Sequence, residues 1–115
     1  MNKEYLWKKL GPIIQEALLD ATVIEIMVNA DGNFWILRQD GLVSVGVRLA
    51  TQYVMAMVQA IAQYAGLFIN ENNPSLICSL PFYNARISMS IPPMIISIIM
   101  IGAQPSKGVA PFDQA

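Results

Sequence analysis

The stretch Thr22-Val23-Ile24-Glu25-Ile26-Met27-Val28-Asn29-Ala30-Asp31-Gly32-Asn33-Phe34-Trp35-Ile36-Leu37-Arg38-Gln39-Asp40-Gly41 decides the fold. Residues 22–28 are β-branched and apolar, with one acid, Glu25, in the middle. Ala30-Asp31-Gly32-Asn33 is a turn signal, because Gly and Asn tolerate positive φ. Residues 34–38 read as a second strand, and Asp40-Gly41 is a strong hairpin cue. Residues 42–47 alternate as a third strand. The three together predict an antiparallel meander.

On the N-terminal side, residues 2–19 predict helix. Leu6, Leu10, Ile13 or Ile14, and Leu18 recur at a spacing of three to four, leaving Lys8, Lys9, Gln15 and Glu16 for water. Gly11-Pro12 divides this run into two helices, with Pro12 in the first turn of the second, where its missing N–H costs nothing. Asp20 ends it.

After the meander, Thr51 is the expected N-cap of a middle helix. Val54, Met57, Val58, Ile61 and Ala65 form its apolar stripe, read as core, and Gly66 suits the C′ position. Residues 70–75 form a polar loop. Residues 76–80, 86–91 and 95–101 then read as strands, the first two as a hairpin closed by Pro81-Phe82-Tyr83-Asn84. The tail, residues 104–115, holds Pro105, Gly108 and Pro111 and reads as a linker or frayed end. Helices segregated from an antiparallel sheet make an α+β two-layer domain.

The composition bounds the function. At 115 residues the chain is one domain at most. Apolar residues reach 55% and charged residues 13%, against about 45–50% and about 25% in ordinary soluble domains. Either one apolar face meets another domain or subunit, or the surface is simply greasy. A net charge of −1 with no basic stripe predicts no direct nucleic-acid binding. The absence of histidine excludes His-based triads and His metal sites. The single cysteine, Cys78, lies in an apolar run and is read as packing rather than reacting. No secretory signal opens the chain. Residues 87–103 carry no charge over 17 positions, but Pro92-Pro93 interrupts them. Two strands joined at the prolines is the preferred reading, with a membrane-inserted segment as the alternative.

Candidates for chemistry are few. No catalytic residue is identified: the acids sit at helix ends, turns or wet faces, except Glu25. Glu25 is either an outward-facing strand residue or the partner of a cation across an interface. No Gly-x-x-x-x-Gly-Lys-[Ser/Thr] occurs, and Ser106-Lys107-Gly108 has no strand–loop–helix frame around it. No Cys pair or acidic loop supports a metal site. Arg86 is the lone cation between Arg48 and Lys107, inside an apolar hairpin. It is either an edge-strand arginine reaching water or a contact to a carboxylate or phosphate.

Two sets of residues, in order, carry a family resemblance. The first runs from Leu18-Leu19-Asp20 through Val28-Asn29 and Asp31-Gly32 to Trp35. The second is Pro74-Ser75-Leu76, Leu80-Pro81, Ala85-Arg86 and Pro92-Pro93. Over residues 6–93 the chain resembles the N-terminal domain of TrbB-like conjugative-transfer ATPases, of the type II/IV secretion traffic ATPase family. The resemblance implies a PAS-like α+β domain over residues 1–103, followed by a linker over residues 104–115. It also implies a hexameric ring in the cytoplasm, docked on inner-membrane secretion machinery. ATP would lie between this domain and a C-terminal P-loop domain, with Arg86 touching its phosphates.

Two departures accompany the resemblance. The family's Ile-Arg-Lys-Pro ending aligns with residues 101–105, where Gly102, Ala103 and Gln104 supply no cation. These residues hold neither Walker A nor Walker B, so ATP hydrolysis by them alone is not expected. A truncated gene product or a fragment fits both departures. A free-standing interaction module and a small membrane-associated protein are the rival readings.

Overall fold

A computed structural model describes residues 2–91 and 95–100. Its elements are α1 (Lys3–Leu19), β1 (Val23–Val28), β2 (Asn33–Arg38), β3 (Gly41–Arg48), α2 (Thr51–Tyr64), β4 (Ser75–Ser79), β5 (Ala85–Ser90) and β6 (Ile95–Met100). The six strands form one antiparallel sheet in the order β3-β2-β1-β6-β5-β4. Two three-stranded halves therefore join along β1 and β6, and the architecture is α+β with two layers.

The helices lie on one face. Leu6, Leu10, Ile14 and Leu18 of α1 are fully buried, as are Met57 and Val58 of α2. From the sheet they meet Ile26, Val28, Phe34, Ile36, Ile87, Met89, Ile96 and Ile98. Alternation along the strands sends the intervening residues to the opposite face, which no described helix covers.

α1 is two helices in sequence. Asn2 caps the first by accepting a hydrogen bond from the Tyr5 N–H at 2.8 Å. Gly11 breaks the run at φ 80°, ψ 166°, a region that only glycine enters at little cost. The carbonyls beside the break take side-chain donors: the Gln15 amide donates to the Trp7 carbonyl at 2.7 Å, and the Tyr53 hydroxyl to the Leu10 carbonyl. Tyr53 belongs to α2, so the kink also ties the two helices together.

α2 differs from expectation at both ends. Its N-cap is Ala50, without a side-chain hydrogen bond, and Thr51 is the first helical residue. Ala65 is the C-cap and is exposed, not core. Gly66, at φ 72°, does close the helix. Its N–H donates to the Gln63 carbonyl at 3.1 Å and that of Leu67 to Ala62 at 2.8 Å, the paired bonds of a Schellman motif.

β3 is the third strand expected over residues 42–47, but its burial does not alternate. Leu42, Val43 and Val45 are all exposed, on both faces. β3 is the sheet edge, and the helix layer stops short of it. Its pairing with β2 shifts register between Asn33 and Trp35.

Residues 87–90 lie in β5 and residues 95–100 in β6, paired from Ala85↔Met100 to Ser90↔Ile95. Among the described residues no helix is long and apolar enough to cross a membrane. Pro92 and Pro93, Ile101 and the tail at residues 104–115 lie outside the described residues.

Candidate functional site

Arg86 stands at the start of β5, just past the turn that closes the β4–β5 hairpin. Tyr83 and Asn84 take φ 54° and 55°, as the two central residues of a type I′ turn require. The Ala85 N–H donates to the Phe82 carbonyl at 3.0 Å, and the Leu80 N–H to the Ala85 carbonyl at 2.8 Å. Asn tolerates the left-handed region and Tyr does so at a cost. Phe82 anchors the turn: it is buried and meets Trp7 of α1 edge-on, ring centroids 5.2 Å apart. The core thus holds the hairpin that presents Arg86.

The environment of Arg86 differs from the expected apolar surround. β5 is an interior strand, since β4 forms the edge. Ala85, Ile87 and Met89 point into the core and are buried, while Arg86 and Ser88 point the other way and are exposed. Arg86 is therefore neither a buried charge nor an edge-strand arginine. It forms no ion pair with a described residue. Its guanidinium is available for an incoming anion.

The helix-free face is ordered in cross-strand rows. One row runs Leu42, Leu37, Glu25, Ile99, Arg86, Ser79 from β3 to β4. The next runs Ser44, Trp35, Met27, Ser97, Ser88, Ile77. Glu25 faces outward, half-buried, and its carboxylate accepts the Ser97 hydroxyl at 2.8 Å. Large apolar side chains are open to water here: Ile77 is 66% exposed and Ile99 43%. The Trp35 indole N–H is buried without a hydrogen-bond partner.

Two features escaped sequence reading. Asp20, at the end of α1, accepts the Arg38 guanidinium at 2.8 Å and the Thr22 hydroxyl at 2.6 Å. Arg38 also donates to Thr22 at 2.9 Å. The bond from Arg38, then those from Thr22, hold the Asp20 carboxyl at about 2, below its ordinary 3.8. This node locks α1 to the first hairpin. The acid was visible only as a helix stop, and its partner lies 18 residues away. The second feature is Phe68, 77% exposed beside the exposed Leu67 in the α2–β4 connection.

Cys78 lies on β4, half-buried against the core, and burial raises its thiol pKa. That environment disfavours the thiolate, as packing rather than reactivity requires. Among the described residues no three potential ligands gather to hold a metal.

No protein-family model and no curated protein matches the chain. Among solved structures, the fold is similar to that of the VirB11 ATPase from the Brucella suis type IV secretion system, crystallised in complex with sulphate. The TM-score is 0.72 at 20% identity, over 87% of this chain and 30% of that one. At that identity the likeness is one of fold. The chain spans less than a third of the length of that ATPase.

Proposed function

We propose that these residues form the N-terminal domain of a type IV secretion ATPase, of the TrbB-like conjugative kind. The observation that carries this reading is the fold shared with the VirB11 ATPase over 87% of the chain. The two sequence motifs point to the same family independently. In this reading the PAS-like domain at residues 1–103 joins a hexameric ring in the cytoplasm, against inner-membrane secretion machinery. Residues 104–115 lead toward a P-loop domain that holds ATP.

Arg86 is the residue assigned to the nucleotide. A guanidinium recognises phosphate by paired, charge-assisted hydrogen bonds. Arg86 is exposed, unpaired among the described residues, and held at the end of an anchored turn. The sequence holds no Gly-x-x-x-x-Gly-Lys-[Ser/Thr], and in this reading the part of the domain is assembly and phosphate contact. Hydrolysis belongs to the P-loop domain.

The test is co-assembly. The 115-residue chain, mixed with a full-length TrbB-like ATPase, is expected to enter its rings and lower ATP turnover as its proportion rises. Turnover that stays constant at a tenfold excess of the chain would overturn the reading.

A further inference from the structure

The two edges of the sheet are built differently. β4 is five residues long and lies between Pro74 and Pro81. A short edge flanked by proline is a poor template for another strand. β3 is eight residues long. Between Gly41 and Arg48 it holds no proline and no charge. Among the described residues no strand pairs with its outer side.

β3 is also open on both faces. Val43 pairs with Ile36 and faces the helices, while Leu42 pairs with Leu37 and faces the other way. Both are exposed, as is Val45. A docked helix would cover one of these faces and leave the amides and carbonyls of the edge unpaired. An added strand pairs them and sets its own side chains beside those of β3 on both faces at once. On the helix side Val43, Val45 and Val47 line a groove together with Ile13, Glu16 and Ala17 of α1. Large apolar side chains of an added strand reach over β3 into it.

The ends of β3 carry opposite charges. Asp40 precedes the strand and Arg48 closes it. Both are exposed, and neither makes an ion pair with a described residue. Glu16, exposed and likewise without an ion pair to a described residue, adds an acid beside the groove.

We propose that the β3 edge binds an extended segment of another protein as an additional strand. Every pair in this sheet is antiparallel, the more stable arrangement, so the segment runs from Arg48 toward Asp40. It opens with an acidic residue, alternates large apolar with polar residues, and ends with a Lys or Arg. A second copy of the chain fits less well. Gly46, at φ 78°, and the shift of register with β2 interrupt the C-terminal half of β3. A two-fold pairing of β3 with itself would set two such interruptions in one ladder. Arg86, on β5, lies four strands away, so the edge site goes beyond the phosphate contact and stands without it.

The full 115-residue chain is titrated, without nucleotide, with the synthetic peptide Glu-Leu-Thr-Leu-Thr-Leu-Thr-Thr-Lys. Anisotropy of the labelled peptide reads affinity, and amide hydrogen exchange reads location. Saturable binding is expected, with new protection at alternate amides of β3 and none in β4. N-methylation of alternate peptide amides removes their hydrogen bonds. In the register that faces β3 it should weaken binding at least about tenfold, and in the other register it should not. Arg48→Glu should weaken binding about threefold, and Lys in place of the first Glu of the peptide should recover it. Circular dichroism checks that this variant is folded, and the N-methylated peptides need no variant. The proposal is overturned by no binding, by binding indifferent to both N-methylated forms, by protection outside β3, or by no recovery on charge exchange. Protection of the outer β3 amides before peptide is added also overturns it. The edge is then taken by a second copy if that protection grows with protein concentration, and by residues 101–115 if it does not.

Discussion

Glu25 and Arg86 flank Ile99 in one cross-strand row of the helix-free face, the acid on β1 and the base on β5. The sequence separates them by the whole of α2 and three strands, β2, β3 and β4. Only the joining of β1 to β6 brings them onto one row.

Arg86 is exposed and makes no ion pair with a described residue. Its removal therefore leaves the fold in place. Arg86→Ala is expected to change the stability of the monomer by less than about 0.5 kcal/mol, the ordinary range for surface substitutions. Urea denaturation at a concentration that excludes association measures it. This result makes any effect of Arg86→Ala on ligands or partners readable.

The kink in α1 is a different case. A Cβ at Gly11 would lie 2.7 Å from the Tyr53 hydroxyl, on a backbone at φ +80°. Strain and overlap act together, so Gly11→Ala is expected to destabilise by about 3 kcal/mol. Tyr53→Phe removes the donor to the Leu10 carbonyl and should cost about 1 kcal/mol. Denaturation midpoints of the two variants check both values.

Asp20 supplies a pH dependence. Its folded pKa, about 2, lies below the ordinary 3.8. A depressed carboxyl pKa stabilises the fold above the unfolded value, and that stabilisation is lost as pH falls from about 3.8 toward 2. The pair is about a third exposed, so screening reduces its worth to about 1 kcal/mol. Asp20→Asn should flatten the stability profile over this window and leave it parallel to wild type above pH 5. Thermal unfolding measured from pH 2 to 6 decides it.

Phe82 holds the hairpin that presents Arg86. Truncating it leaves a cavity beside Trp7 and should cost about 3–4 kcal/mol. The amide of Ala85, which closes the turn on Phe82, is expected to lose hydrogen-exchange protection more than the amides of β1.

Much of the architecture was legible in local chemistry. Asp31-Gly32 and Asp40-Gly41 marked the first two turns, Gly11-Pro12 the break in α1, and Gly66 the end of α2. These are positions where backbone conformation constrains residue type, so sequence reports them directly. Less legible was what depends on neighbours distant in sequence. Leu42 to Val47 formed the expected third strand, yet at the edge of the sheet Leu42, Val43 and Val45 stay exposed. Thr51 carried a capping side chain, but Ala50 took the N-cap position. Arg86 sat among apolar residues in sequence, and strand alternation placed it on the open face. The Asp20–Arg38 tie and the Tyr53–Leu10 contact join separate elements and left no local signal.

Arg86 is the residue proposed to contact nucleotide phosphate from this domain. The direct measurement is nucleotide affinity in a protein joining this chain to the P-loop domain of a TrbB-like ATPase, with and without Arg86→Ala. Hydrogen bonds to a charged group contribute about 1.5–3 kcal/mol, so the variant is expected to bind ATP about 10- to 100-fold more weakly. Equal affinity in the two proteins, both folded, would contradict it.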